Sequence, residues 1–304
     1  MKNNYQLLFL KGLKIISAAL LLVPLTSSAD ENLFGYIKGA ETLPKDAWET
    51  YQFLTSRLGK GVGSYNAIDS KTELEYGVTD RFTAGANLKM IAVNSSEVLI
   101  DAYIPKDINS SLQLSGLEFS LKYNYLSPAK DDIGLSTYWS LGYGWVDAHS
   151  GQKKDTIKSE LQFLLQKYYL EGELIWVGNF SLESTYAKRA PLDNLPAGFE
   201  WPIFPEMEIG FSVGTGLTYR FIPRWFLGGE VLYESEYETE VGQERFSTFA
   251  GPTIHYASER WWTTATFFKQ LKGGGPPNPN QDDMNLHLVE KTKQEVRLKI
   301  GYNF

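Results

Sequence analysis

The last ten residues constrain the fold of this chain more than any other stretch, because polar and apolar side chains alternate there without interruption. One face of the stretch carries Val296, Leu298, Ile300, Tyr302 and Phe304. Polar residues or Gly301 occupy the positions between them. A period of two residues is typical of a strand with one buried face. We therefore predict a terminal β-strand, which belongs either to a closed barrel or to the edge of a soluble sandwich.

Composition excludes several classes of protein. The chain has 14% aromatic residues, 27 glycines and no cysteine, so it has neither a disulfide, a thiolate site nor a lipoprotein cysteine. Beyond the amino-terminal stretch, no window reaches the roughly 18 apolar residues of a membrane-spanning helix. The formal charge is -7. An acidic balance argues against nucleic acid as a partner.

The amino-terminal stretch has the pattern of a Sec signal peptide. Three lysines precede an apolar run over residues 15–25, which closes on the small residues Ser27, Ser28 and Ala29. The run is too short to span a bilayer as a helix. We predict that residues 1–29 are a signal peptide cleaved near Ala29; the alternative is an anchor that stays attached. Without its lysines the formal charge becomes about -10.

Residues 30–46 show no sustained period and contain Gly35, Gly39 and Pro44. We interpret them as a periplasmic lead-in segment. The apolar residues 33–37 leave an alternative open, in which the segment enters the barrel mouth as a small plug. An ordered tail outside the barrel is the preferred interpretation.

From residue 47 to residue 304 the chain alternates strand-like runs with connections. We predict twelve strands, at 47–57, 67–77, 81–93, 113–126, 133–146, 156–169, 172–188, 206–221, 223–238, 245–256, 259–271 and 292–304. Each run reaches the 9 to 11 residues that a tilted strand needs to cross a bilayer. The connections alternate between short and long, which predicts an antiparallel up-and-down barrel with long extracellular loops. An even strand number predicts that both termini are periplasmic.

Three short connections repeat one pattern. An aromatic residue, a polar turn and an arginine-aromatic pair recur at 76–82, 219–225 and 256–261. Aromatic side chains with one apolar and one wet end favour the headgroup depth of a membrane, and a neighbouring arginine can reach phosphate or water. The repeat therefore predicts one rim of a membrane barrel.

The two faces of the predicted strands differ in the way that a membrane barrel requires. In the run 133–146, large apolar side chains share one face and small or polar ones share the other, as they do again in 206–221. A soluble barrel would have the opposite polarity. We therefore predict lipid outside and a polar lumen inside, where charges of both signs pair between neighbouring strands.

Together these features resemble outer-membrane β-barrels of Gram-negative bacteria, of an uncharacterised porin-like family. The resemblance covers residues 47–304 and implies an all-β transmembrane barrel of about 12 strands in the outer membrane. Lipid, lipopolysaccharide and the barrel-assembly machinery are then its expected partners. The terminal strand resembles the family's assembly signal, in which the matching residues are Leu298, Ile300, Tyr302 and Phe304. The resemblance gives neither a substrate nor an oligomeric state.

Catalytic chemistry has little support in the sequence. No GxSxG, HExxH or P-loop motif is present, and the one candidate for a rim hydrolase is the adjacent set Asp147, His149 and Ser150. Adjacency in a loop is weak support, because a catalytic base and its nucleophile usually come from different strands. We predict no enzyme activity, no catalytic residue, no metal and no cofactor. We expect His149 to be a solvated residue of an extracellular loop, His287 to lie in another such loop, and His255 to face the lumen.

Two functions remain open, a passive channel for small solutes or ions and a closed structural or surface-interaction barrel. Glycines on the inner faces of two runs leave room in the lumen, whereas Trp262 and Phe268 would fill it. We predict that seven charged residues line the lumen: Arg220, Glu230, Glu234, Glu236, Glu238, Arg297 and Lys299. The four glutamates form a column, which suggests a channel that favours cations. The alternative is that all four are paired in a charge network that plugs the barrel, with Arg245 neutralising the upper members.

Overall fold

The computed structural model describes residues 32–98, 107–192, 201, 203–238, 242–276 and 285–304. The predicted signal peptide and its cleavage near Ala29 lie outside these residues. Within the described ranges, no helix is long and apolar enough to cross a membrane.

The chain folds almost entirely into β-strands. Their bounds are β1 Trp48–Leu58, β2 Ser64–Thr79, β3 Phe82–Ser96, β4 Ile108–Asn109, β5 Gln113–Leu126, β6 Gly134–Val146, β7 Lys153–Tyr169, β8 Leu174–Arg189, β9 Glu206–Ile222, β10 Trp225–Glu238, β11 Gly242–Ala257, β12 Trp261–Gly274 and β13 Gln294–Asn303. A single 3₁₀ turn, Leu170–Gly172, joins β7 to β8.

Twelve of these strands close into an antiparallel barrel. Each strand pairs with its neighbours along the chain, and β1 pairs with β13, so that Tyr51 lies opposite Gly301. The two-residue β4 only extends the far end of β3. All twelve predicted strands are confirmed with boundaries that differ by at most three residues, although the segment that holds β4 was predicted to be a loop.

The predicted faces are also confirmed. Large apolar side chains point outward and are exposed, such as Phe119 at 62% and Leu227 at 54%. Polar side chains point inward and are buried, among them Gln166 and Thr264. This polarity is the reverse of a soluble protein and suits a barrel whose exterior contacts hydrocarbon.

The two ends of the barrel are built differently. Short turns, such as the one at residues 223–224, lie at one end, which we call the short-turn end. The predicted aromatic repeat is here, since Tyr256 lies 4.9 Å from both Trp225 and Trp261 between ring centroids. The longer connections lie at the opposite end, which we call the long-loop end.

Candidate functional site: a chamber in the lumen and its two closures

Residues 32–43 lie inside the barrel, where they form what we call the plug. From the short-turn end, where the main chain of Ala47 pairs with Gly77, the plug runs around the inner wall from β3 to β13. Leu33, Phe34, Ile37 and Ala40 are at most 2% exposed. The preferred interpretation of this segment as an outer tail was therefore wrong, and the plug alternative describes it.

One carboxylate holds the centre of the plug. Glu230 Oε1 accepts the backbone N–H of Gly35 at 2.7 Å, and its Oε2 accepts those of Tyr36 at 2.8 Å and Ile37 at 3.1 Å. The hydroxyl of Thr266 donates to Oε1 as well, at 2.7 Å. Hydrogen bonds to an ionised acceptor are stronger than neutral ones, so Glu230 is the strongest single attachment of the plug.

Two cations hold the beginning of the plug. Lys299 Nζ donates to the side chain of Asn32 at 2.6 Å and to the carbonyl of Phe34 at 3.1 Å. Arg297 donates to the carbonyl of Gly35 at 3.1 Å and lies 3.7 Å from the centroid of the Tyr36 ring. Cation–π contacts of this kind gain strength where water is excluded.

Amide side chains of the wall hold the rest of the plug. Asn179 accepts the N–H of Lys38 at 2.7 Å and donates to its carbonyl at 2.8 Å. Gln166 accepts the N–H of Ala40 at 2.7 Å, and Asn124 donates to the Ala40 carbonyl at 2.9 Å. Irregular backbone at membrane depth is stable only where such partners satisfy it. Side chains, rather than strand pairing, therefore attach the plug to the barrel.

Two glycines of β9 make the seat for its apolar side chains. A Cβ at Gly216 would lie 2.7 Å from Phe34 Cε1, and one at Gly214 would lie 2.3 Å from Ile37 Cδ1. Both distances are below van der Waals contact. The room that the glycine pattern of this strand predicted exists, but the plug occupies it.

At the long-loop end, three loop segments form a second closure, which we call the loop cap: residues 59–63, 147–152 and 285–293. Lys60 is 1% exposed and donates to the carbonyls of Val289 at 2.6 Å and Lys291 at 3.3 Å. Both bonds go to main-chain carbonyls. Burial, reinforced by the nearby Arg57, lowers the pKa of Lys60 well below its usual range.

The segment 285–293 folds inward over the lumen. Lys291 Nζ donates to Glu234 Oε2 at 2.7 Å, and Glu290 pairs with Arg245. Gln270 Nε2 donates to the carbonyls of His287 at 2.9 Å and Thr292 at 3.1 Å. Ion pairs and a buried amide thus hold this part of the cap.

His287 sits in this segment as a neutral ring. Its Nε2 accepts the N–H of Glu290 at 3.4 Å. Burial lowers the pKa of His287 to about 3, and Arg245, Lys291 and Lys60 act in the same direction. His287 lies in a connection between strands, as predicted, and its imidazole is a structural acceptor.

The hydrolase candidate in residues 147–150 has a structural role. Asp147 Oδ1 accepts the N–H groups of His149 and Ser150, both at 2.8 Å, and the Ser150 hydroxyl at 3.0 Å. These bonds shape a turn around the Asp147 carboxylate. His149 is half-buried, and burial, together with Lys60 and Arg57, lowers its pKa well below the usual range. The expectation of a solvated loop residue was therefore wrong at His149.

A chamber of about 670 Å³ lies between the two closures. Tyr36 and Lys38 of the plug line one end of it, and His149 and Lys291 of the loop cap line the other. Its wall consists of polar and charged side chains, the glycines of β6, and apolar and aromatic side chains such as Phe268. The chamber is the part of the lumen that the plug and the cap leave unfilled.

The four glutamates of the predicted column have different partners, which belong to the plug, to the cap or to the rim of the barrel. Glu230 binds the plug, Glu234 pairs with Lys291, and Glu236 pairs with Arg245 at 2.5 Å. Glu238 lies farther along β10 beside Glu206, with carboxylate oxygens within 4.8 Å. Two of the four, Glu234 and Glu236, are thus in the charge network that the sequence left as the alternative, and Arg245 is one of the partners it named. Glu230 is instead bound by N–H groups of the plug.

The three cations that were predicted to line the lumen also lie in different parts of the barrel. Arg297 and Lys299 face the lumen and hold the plug, as described above. Arg220 lies at the short-turn end, half-buried, with Nη2 3.7 Å from Glu173 Oε1. The terminal residues Leu298, Ile300, Tyr302 and Phe304 point outward, and their recognition during assembly stays a prediction.

One cluster could in chemical terms hold a cation. Carboxylate oxygens of Glu206, Glu208 and Glu238 lie within 4.8 Å of one another, and so do those of Glu208, Glu236 and Glu244. Oxygen ligands of this kind suit hard cations. Lys154 and Arg189 pair with Glu206, and Arg245 pairs with Glu236, so side-chain cations already supply compensating charge.

The fold and the polarity of its two faces define the class, an outer-membrane β-barrel. The COG4313 outer membrane channel from Pseudomonas putida F1 is similar, with a TM-score of 0.57 and 16% identity over 87% of this chain and 98% of that one. The translocator domain of the autotransporter NalP from Neisseria meningitidis has a TM-score of 0.50 and 11% identity, over 84% of this chain and 88% of its own. At these identities the likeness is one of fold.

The family follows from the sequence. The model of the "Family of unknown function (DUF6662)" matches residues 26–304, so the chain belongs to that family. Among curated proteins, no relative matches.

Proposed function

We propose that the protein is a passive outer-membrane channel for small polar solutes or ions, narrowed by the plug at one end and by the loop cap at the other. The observation that carries this proposal is the chamber of about 670 Å³, whose charged lining extends from Tyr36 in the plug to Lys291 in the cap. A barrel filled only for stability would not need an unfilled interior of this size. The similar Pseudomonas putida protein is itself an outer membrane channel.

The test is single-channel conductance of the purified, folded protein in a planar bilayer. We expect discrete steps of small amplitude, because two narrow segments act in series with the chamber. A folded barrel that gives no current above the background of the bilayer would overturn the proposal. It would favour the closed structural barrel, for which the plug and the inward-folded segment 285–293 are the supporting observations.

The orientation is part of the proposal. We infer that the short turns and both termini are periplasmic and that the loop cap faces the outside, as even strand number and long outer loops favour. A tag inserted at Thr79 should be protected on intact cells, and one at Pro277, which lies outside the described residues, should be accessible. The reverse pattern would invert the barrel and place the plug at the outer mouth.

A further inference from the structure

The charges of the chamber balance in number but not in position. Among the residues that the structure describes, ten basic and ten acidic side chains line it. Equal numbers predict little overall preference between cations and anions. The expectation that the glutamate column makes the channel favour cations therefore loses its basis, and the arrangement of the charges around the wall becomes the informative property.

One side of the chamber is basic. The four consecutive strands β13, β1, β2 and β3 contribute five cations to its lining, namely Arg57, Lys71, Lys89, Arg297 and Lys299. The same strands contribute only two carboxylates, Asp69 and Glu295. We call this side the basic wall.

The other side is acidic to the same degree. The four consecutive strands β7, β8, β9 and β10 contribute five carboxylates, namely Glu160, Glu183, Glu208, Glu234 and Glu236. Their lining cations are two, Lys154 and Lys158. We call this side the acidic wall.

The two walls face each other across the lumen. In a closed ring of twelve strands, the strand opposite any other is the sixth along. By that order β1 faces β8, β2 faces β9, β3 faces β10 and β13 faces β7. The walls are therefore diametrically opposed, and the field between them points across the channel rather than along it.

Several of these groups remain open to the chamber although they are ion-paired. The side chains of Lys89 and Lys158 are 35% and 38% exposed, and those of Asp69 and Glu234 are 37% and 35% exposed. A solute can therefore exchange contacts with them. Screening over about 8 to 10 Å leaves charges effective across a narrow lumen.

From this geometry we infer a solute class: the chamber takes small zwitterions, molecules that carry a carboxylate at one end and an ammonium group at the other. The carboxylate turns to the basic wall and the ammonium group to the acidic wall. An uncharged molecule of the same size gains no such contact, and a simple ion gains at one wall and loses at the other. This inference rests on the proposed channel function.

The test compares alanine with its uncharged isomer lactamide in swelling of liposomes that contain the protein. We expect alanine to enter about three times faster than lactamide. A threefold ratio needs a free-energy difference well under the roughly 1.4 kcal/mol that gives a tenfold ratio. The ratio should fall to about one in the double variant Lys89→Gln/Glu234→Gln. The exposed Lys188 and Glu259 lie outside the chamber lining, so Lys188→Gln/Glu259→Gln is the matched control and should keep the wild-type ratio.

Reversal potentials in a KCl gradient provide a second readout. Lys89→Gln alone should shift the selectivity toward cations, Glu234→Gln alone toward anions, and the double variant should return to the wild-type value. Unchanged potentials, or shifts of the same sign, would overturn the two-wall arrangement while the current itself still supports a channel. A wild-type ratio of one would overturn the zwitterion inference. A folded protein without current would overturn the channel and this inference together.

Discussion

The plug and the loop cap close the same chamber by different physical means. The plug is held mainly by side chains of the wall that satisfy its backbone, with Glu230 and Asn179 at the centre. The cap is held by ion pairs, by the buried Lys60 and by the neutral ring of His287. The charged partners of the plug bind its backbone, whereas the ion pairs of the cap join side chains to one another. The cap also contains two histidines whose pKa is lowered in the folded state, so we expect its stability to depend on pH.

The largest expected effect comes from Glu230→Gln. The change removes the ionised acceptor of three plug N–H groups but no strand pairing. A lost charged hydrogen bond is worth about 1.5 to 3 kcal/mol, so plug-open states should gain about tenfold or more in population. Mean current in a planar bilayer should rise accordingly, with the melting behaviour of the barrel unchanged. If the fraction of folded barrel also decreases in this variant, the plug is part of what stabilises the barrel.

Gly216→Ala should act on the plug less strongly. The new Cβ would lie 2.7 Å from Phe34 Cε1, so the aromatic ring has to leave its seat. Overpacking of this kind costs about 1 to 3 kcal/mol, so we expect an increase in current of about fivefold or more. Gly142→Ala is the matched control, because its Cβ meets nothing closer than 3.5 Å. Equal currents in the two variants would show that the seat does not hold the plug.

Acidification should loosen the cap. The pKa of His287 is about 3 in the folded cap and about 6.5 for a solvated histidine. Between these two pH values His287 binds a proton in the open cap but not in the closed cap. The contribution of His287 to the stability of the closed cap is therefore fully present above about pH 6.5 and decreases as the pH falls. Hydrogen exchange of residues 285–293, corrected for intrinsic rate, should therefore accelerate from pH 7.5 to pH 4.5.

The variant His149→Gln/His287→Gln removes both histidines of the cap and should flatten the response. The plug residues 32–43 are the internal reference within the same protein. An acid response that persists in the double variant would assign it to carboxylates instead of the histidines.

Lys60→Met should have the smallest of these effects. It removes two hydrogen bonds to the carbonyls of Val289 and Lys291 but also removes the cost of burying an ammonium group. We expect a net loss of about 1 kcal/mol in the local stability of the cap, read as faster hydrogen exchange in 285–293 at pH 7.5. Slower exchange would mean that the buried charge costs more than its hydrogen bonds provide.

Local pattern was enough to predict the barrel and the direction in which its side chains point. Alternation in stretches such as 133–146 depends on neighbours two residues apart, so the sequence contains it directly. It placed Glu230, Glu234 and Glu236 on the inner face correctly. It did not reveal their partners, because Glu230 is 195 residues from Gly35 and 57 separate Glu234 from Lys291.

Two signals for the plug were present but could be interpreted only together. The apolar residues 33–37 stand in a polar segment, and Gly214 and Gly216 interrupt the inner face of β9. Either feature alone also fits an ordered tail or an open lumen. No signal in the sequence marks Lys60 as buried, since a lysine between glycines is typical of an exposed loop.

The most direct test of whether the plug limits passage through a channel is a single-channel recording of Glu230→Gln. In this variant the plug is also tethered to the barrel wall by a disulfide that can be reduced. The chain has no native cysteine, and the Ile37 side chain reaches the Cβ position of Gly214, so Ile37→Cys and Gly214→Cys should tether the plug to β9. The current should equal that of the wild type while the disulfide is intact and should be about tenfold higher after reduction. A current that is equal in the two states would contradict a plug that limits passage.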